Sequence, residues 1–191
     1  MLFNQIQIVK IGTQSLFRNQ DKLDVNKIND LGADVKRLRD EKGIMSVLVT
    51  SGAIALGRMA QSLRNIKNHT LEARVAASIG QIELMNIYKL SLGEDVAQIL
   101  ATHTGLLSPD RRETFIQMMR LLLGSGIFPI VNYNDPMDDY EMEHVSAFAD
   151  NDKLAEELAV MLKTDRVIVL SNVEGLLDDK GVLIERVNHD A

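Results

Sequence analysis

Residues 44–57 read Ile-Met-Ser-Val-Leu-Val-Thr-Ser-Gly-Ala-Ile-Ala-Leu-Gly. The first part, Ile44–Val49, is a short and nearly continuous apolar run, the pattern of a strand covered on both faces. Thr50 to Gly57 then supplies a hydroxyl pair, a glycine and small apolar residues, which suits a tight turn leading into a helix. Strand, turn and helix in fourteen residues make one half of a βαβ unit, so the remaining chain is expected to repeat that alternation.

It does so in both directions. Further strand-like runs occur at Ile6–Val9, Val96–Leu100, Ile127–Val131 and Val167–Leu170, with a weaker sixth at Val182–Ile184 after the Asp178–Gly181 turn. Between them lie helical patterns. Val25, Ile28, Leu31, Val35 and Leu38 step by three or four residues into one stripe, as an amphipathic helix requires. Leu71–Leu90, Arg111–Leu123 and Lys153–Leu162 read as three more helices. The expected fold class is α/β, a three-layer αβα sandwich with a mainly parallel central sheet. No repeat or linker divides the chain, so one domain over residues 1–191 is expected. Pro136–Ala149 is acidic and aperiodic, an active-site lid or a surface loop.

Composition narrows the function. Of 191 residues 46% are hydrophobic and 25% charged, an ordinary globular balance with enough chain for a sizeable core. The formal charge is -6 and no basic stripe exists, which argues against a nucleic-acid partner. The absence of cysteine excludes disulfides and thiolate chemistry in these residues. No apolar run approaches the roughly 20 residues of a membrane span, and Met1–Lys10 is too short and polar for a signal peptide. The expected location is cytoplasmic.

In parallel-sheet folds ligands bind beyond the carboxyl ends of the strands, so the residues after each strand carry the chemistry. The first strand ends in Lys10-Ile11-Gly12-Thr13-Gln14-Ser15. That loop can present a cation and backbone N–H groups to phosphate, or be a solvated lysine before a turn. It is not a P-loop, and no G-x-G-x-x-G follows a strand, which disfavours a dinucleotide-dependent oxidoreductase. Ser51 and Gly52 let a carboxylate or phosphate approach a helix N-terminus; Ser51 also suits a plain N-cap. Asn132-Tyr133-Asn134-Asp135-Pro136 and Asp150-Asn151-Asp152 bring carboxamides and carboxylates to the same side of the sheet. They suit recognition of an ammonium group, or merely turns and a capped helix. The fifth strand ends in Ser171-Asn172-Val173-Glu174-Gly175, another polar turn. The four histidines share no ligand spacing, and the EF-hand pattern is absent.

Taken in order, IVKIGTQSL at 8–16, VTSGAIALGR at 49–58, AASIGQIELM at 76–85, GIFPIVNYND at 126–135, FADND at 148–152 and VLSNVEGLL at 169–177 resemble the amino-acid kinase family, and within it the glutamate 5-kinases. The N-x-N-D and D-N-D pair is the most specific part. The resemblance spans essentially the whole chain and implies ATP-dependent phosphorylation of the side-chain carboxylate of L-glutamate, the first step of proline synthesis. By it, Lys10 contacts the ATP phosphates together with Gly12 and Thr13, and Asp152 orients the lysine machinery. Ser51, Gly52, Asp135 and Asn151 bind glutamate, and Ser171 and Asn172 touch the nucleotide. Magnesium arrives on the ATP phosphates rather than in a protein cage. A homo-oligomer and feedback inhibition by proline are further implications. A non-catalytic amino-acid-binding protein, or a family kinase for another small acid, are the alternatives.

The chain also departs from the family pattern. Tyr133 stands in place of a glutamate, Ala149 of a glycine, Ser171 of a threonine and Asn172 of an aspartate. The resemblance places a glycine-rich segment with a second catalytic lysine after Ala191. The nucleotide half is therefore expected to be incomplete in these residues. Loss of one such cation costs on the order of 10²–10³ in rate.

Overall fold

The computed structural model describes residues 3–19, 22–60, 63, 65–102, 109–137 and 150–186. Most of the Pro136–Ala149 segment, with Ala149 itself, lies outside the described residues, as do His103, His144 and His189.

The inner strands form where the sequence is most continuously apolar. Strand β1 (Gln5–Ile11) is followed by a single helical turn, α1 (Thr13–Leu16), and a short antiparallel hairpin of β2 (Phe17–Asn19) and β3 (Lys22–Leu23). Helix α2 (Val25–Lys42) leads to β4 (Ile44–Thr50), then α3 (Ala53–Arg58) and the long α4 (His69–Leu92). The rest is β5 (Val96–Ala101), α5 (Pro109–Gly124), β6 (Phe128–Tyr133), α6 (Asp150–Leu162) and β7 (Arg166–Leu170).

Five strands make one sheet in the order β5-β6-β4-β1-β7, every pair parallel. Helices flank it: α2 and α4 pack on each other and on β4 and β5, while α6 packs on β1, β4 and β7 and α5 on β6. The α/β sandwich expected from the sequence is thus the fold observed. Every residue of β6, and Met45–Thr50 of β4, is buried, because both strands have neighbours on either side and helices above and below.

Two expectations need correction. β5 and β7 are not covered on both faces: Leu100, Val167 and Val169 are exposed. Each is an outermost strand with one neighbour, so an apolar run alone overstates its burial. Val182–Ile184 adds no strand to the sheet. Leu183 forms an isolated bridge with Leu177 across the Asp178–Gly181 turn, and with no third strand alongside, the pairing stops there.

Helix ends are set locally. Asp24 caps α2 through the Lys27 amide, and Gly43 closes it in the left-handed region at φ 67°. Asn68 caps α4 through the Leu71 amide. These caps satisfy amides and carbonyls that a helix leaves unpaired at its ends. Gly80 of α4 faces the first residue of α3, and an added Cβ there would collide with the Ala53 carbonyl oxygen. Glycine therefore lets the two helices touch backbone to backbone. Among the described residues no helix is long and apolar enough to cross a membrane.

Candidate functional site

Parallel register brings the loops of interest to one edge. Ile11 pairs with Thr50 on one side and Leu170 on the other, and Val49 pairs with Val131. The chain therefore leaves β1, β4, β6 and β7 at nearly the same height, which gathers Gly12, Ser51, Asn132 and Ser171. The Ser51 amide donates to the Ile11 carbonyl at 3.1 Å. The Leu170 carbonyl accepts from both the Gly12 amide, at 3.4 Å, and the Ser15 hydroxyl, at 3.0 Å. These cross-strand bonds tie the Gly12, Ser51 and Ser171 turns together before any ligand is considered.

Lys10 occupies the last-but-one position of β1, with its side chain largely buried. Its Nζ lies 2.6 Å from an Asp152 carboxylate oxygen, and Asp152 is itself half-exposed on the first turn of α6. The preceding residue turns elsewhere: the Asn151 amide donates to the Ser51 hydroxyl at 2.6 Å. Neighbouring residues of one helical turn thus reach two different strand ends, β1 through Lys10 and β4 through Ser51. The Asn151 side-chain carbonyl oxygen is buried and has no hydrogen-bond partner among the described residues. A buried acceptor left open costs stability unless something fills it.

Gly52 is buried at φ 107°. Residues with a Cβ avoid that conformation, and a Cβ would also meet Leu16 at 3.0 Å. Gly12 is different, for its φ is -72° and a Cβ would have only ordinary contacts at 3.7 Å, one of them with Lys10 Nζ. Thr13 is half-buried at the start of α1. Asp135 is buried in the turn after β6. Ser171 and Asn172 are exposed, and the Ser171 hydroxyl accepts from the Val173 amide at 3.4 Å. The structure therefore joins Lys10 to Asp152 and Ser51 to Asn151, and leaves the side chains of 171 and 172 on the surface beside them. Tyr133, which stands where the resembling family has a charge, is buried in the hydrophobic core.

Three contacting residues on α4 escape a reading of the loops alone. Arg74, Gln81 and Tyr88 recur every seven residues, which places them along one side of the helix. Arg74 donates to the Pro136 carbonyl at 2.9 Å, Gln81 accepts from the Asn132 amide at 2.9 Å, and the Tyr88 hydroxyl lies 2.7 Å from that of Thr50. A polar residue inside an otherwise apolar helical stripe was the only available signal, and only Gln81 supplies it clearly.

Among the described residues no three His, Asp or Glu side chains cluster as a metal site would need. The arrangement instead offers one buried cation, a buried glycine turn, and carboxamide and carboxylate groups at the ends of three adjacent strands. Such a set suits a small anionic or zwitterionic ligand better than a metal cage.

An α/β sheet with a lysine-bearing first turn and this ligand edge defines a class, and comparison gives it a name. Residues 5–191 match the model of the amino acid kinase family, and the chain belongs to that family. Its similarity within the family is to glutamate 5-kinases. It is 36% identical to the glutamate 5-kinase of Lactococcus lactis subsp. lactis, over 90% of this chain and 64% of that protein. It is 31% identical to the glutamate 5-kinase of Streptococcus uberis, over 96% of this chain and 69% of that protein. The chain thus spans about two-thirds of the length of the curated relatives it matches. Among solved structures, the UMP kinase of Bacillus anthracis superposes with a TM-score of 0.55 at 15% identity, covering 92% of this chain and 69% of that one. The aspartate kinase of Synechocystis gives 0.53 at 22% identity, covering 91% and 29%. These two likenesses establish the fold.

Proposed function

We propose that this chain is the acceptor-binding part of an ATP-dependent glutamate 5-kinase, forming a single amino-acid-kinase-like domain over residues 1–191. The observation that carries the reading is the split of one helical turn. Asn151 fixes Ser51, and the next residue, Asp152, fixes Lys10. An acceptor group beside Ser51 and a phosphate beside Lys10 are then held by the same rigid element. Reactions between two anions need that kind of common reference.

The chemistry asks little else of the protein. A glutamate side chain, with an ordinary pKa of about 4.3, is already a carboxylate at neutral pH. Its oxygen attacks the terminal phosphorus of ATP, the bond to the ADP oxygen breaks, and no proton has to be removed. What remains is alignment and charge compensation. Lys10 compensates charge on the phosphate oxygens, and Asp152 holds its Nζ in place. Gly12 and Thr13 line the same turn. Ser51, Gly52, Asp135 and Asn151 hold the amino acid, with the Asp135 carboxylate suited to its ammonium group. Ser171 and Asn172 lie where the nucleotide would pass. Magnesium, carried on the phosphates, supplies further charge neutralisation when bound.

The test is a hydroxylamine trap for acyl phosphate, using the protein expressed from its complete gene with L-glutamate, ATP and magnesium. Glutamate-dependent hydroxamate is the expected result. Product from another acid and none from glutamate would keep the reaction type and overturn the substrate. Calorimetric binding of an amino acid with neither ATP binding nor product would instead establish a sensor.

A further inference from the structure

The buried polar side of α4 does more than pack. Thr50, the last residue of β4, is completely buried, and its Oγ1 donates to the carbonyl of the following residue, Ser51, at 3.1 Å. With its proton committed there, Thr50 Oγ1 accepts from the Tyr88 hydroxyl at 2.7 Å. Burial pushes the Tyr88 phenol well above its ordinary range, so its hydroxyl keeps the proton it donates. The chain of two bonds fixes the plane of the Ser51–Gly52 peptide, immediately before the positive-φ glycine. That plane decides where the Gly52 amide points.

One strand over, Gln81 performs the matching task. It is buried, and its Oε1 holds the Asn132 side chain at the end of β6. Its own Nε2 is buried without a hydrogen-bond partner among the described residues. A half-satisfied amide is an expensive way to fill space, whereas an apolar residue would pack there without that cost.

We propose that Tyr88 and Gln81 are positioning residues of the acceptor site, acting through Thr50 on the Ser51–Gly52 turn and through Asn132 on the turn after β6. The proposal rests on the functional reading above. It makes α4 the common backing of two loops that reach the ligand edge from neighbouring strands. Because both bonds end on the strand residues that lead into these loops rather than on ligand, loosening them should weaken acceptor binding and spare ATP binding.

The experiment compares Thr50→Val, Thr50→Ser, Tyr88→Phe and Gln81→Met in the protein from the complete gene. Two readouts are used: steady-state KM values for acceptor and ATP, and hydrogen exchange of peptides covering residues 44–57. Thr50→Val, which keeps shape and loses the hydroxyl with both of its hydrogen bonds, should raise KM for the acceptor roughly tenfold. KM for ATP should stay within about twofold. Tyr88→Phe and Gln81→Met should shift the same constant by about threefold each, and Thr50→Ser should restore it. Exchange should quicken at 51–57 and not at 44–49 in Thr50→Val and Tyr88→Phe. A lowered melting temperature with unchanged acceptor KM and unchanged exchange at 51–57 would reduce the column to packing and overturn the proposal. If the wild type phosphorylates no acid, the functional reading fails, while the exchange comparison still decides whether Tyr88 and Thr50 order this turn. Should Thr50→Val fail to fold, Tyr88→Phe carries the same decision.

Discussion

The two ends of the central sheet each hold a buried or half-buried cation, and they use it differently. At the amino-terminal end Arg39 of α2 is bonded through all three of its guanidinium nitrogens. Its Nε donates to Asp40 at 2.7 Å, Nη2 to Glu94 at 2.9 Å and Nη1 to Glu94 and the Gly126 carbonyl, while its Cζ stacks 5.1 Å from the Phe128 ring centroid. At the carboxyl end Lys10 meets, among the described residues, a single half-exposed carboxylate, Asp152. Guanidinium is a rigid fork suited to permanent multivalent bonding, whereas ammonium is a compact charge that can be shared with a ligand. The same sheet thus has a clamp at one end and an available cation at the other. This asymmetry favours the carboxyl end as the candidate site independently of any motif.

The largest effect expected from breaking the comparison is at Lys10. Lys10→Ala should lower turnover by about 10²–10³, the order of magnitude for losing one donor that stabilises transition-state charge. Its thermal unfolding should change little, because Asp152 keeps access to water. Turnover within threefold of wild type would remove Lys10 from the phosphate role. A large drop in melting temperature would make it a structural cation like Arg39.

Next comes a pair of glycines whose surroundings treat an added Cβ unequally. Gly80→Ala drives a Cβ into the Ala53 carbonyl oxygen and must push α3 from α4, an overpacking cost of about 1–3 kcal/mol. For a chain of this size that lowers the melting temperature by roughly 2–12 °C. Gly12→Ala has φ -72° and open contacts, so its stability should stay within about 0.5 kcal/mol of wild type. Differential scanning calorimetry of both variants checks this. Equal losses would mean that the α3–α4 contact is looser than its geometry implies.

How much of this was legible beforehand depends on how local the cause is. β1, β4 and β6 are read directly from continuous apolar runs, since strands buried on both faces have no polar side. β5 and β7 carry similar runs yet lie at the sheet edges, because strand order is decided by crossovers and not by composition. α1 and the β2–β3 hairpin are too short for any period to register. The sites at Lys10, Ser51 and Asn132 were visible as polar turns after apolar runs, and Asn151 as part of a polar triplet ahead of a helical pattern. Their pairings were not, because Ser51 and Asn151 are a hundred residues apart and meet only through the packing of α6. Tyr88 reads as another apolar position in its helix, and only the fold reveals the hydroxyl beneath β4.

The smallest effect tests the clamp itself. Hydrogen bonds from Arg39 hold the Glu94 carboxyl below its ordinary range. A carboxylate with a lowered folded pKa stabilises fully above its unfolded value of about 4.3, and that contribution fades as pH falls through the folded value. Asp24 beside Arg18, Asp40 beside Arg39 and Glu72 beside Arg58 are shifted in the same direction, so the protein as a whole should lose stability toward acid. Glu94→Gln isolates one part of that slope. The pair is partly exposed and screened, so the wild type should exceed the variant by about 1 kcal/mol near neutrality. The gap should narrow between pH 5 and pH 3, as read from urea midpoints at each pH. Activity at pH 7 should be unaffected, since the clamp lies at the opposite end of the strands from Lys10. A gap independent of pH would mean that Glu94 stabilises through packing and hydrogen-bond geometry rather than charge. The contrast between a charged clamp and an available cation would then reduce to Lys10 alone.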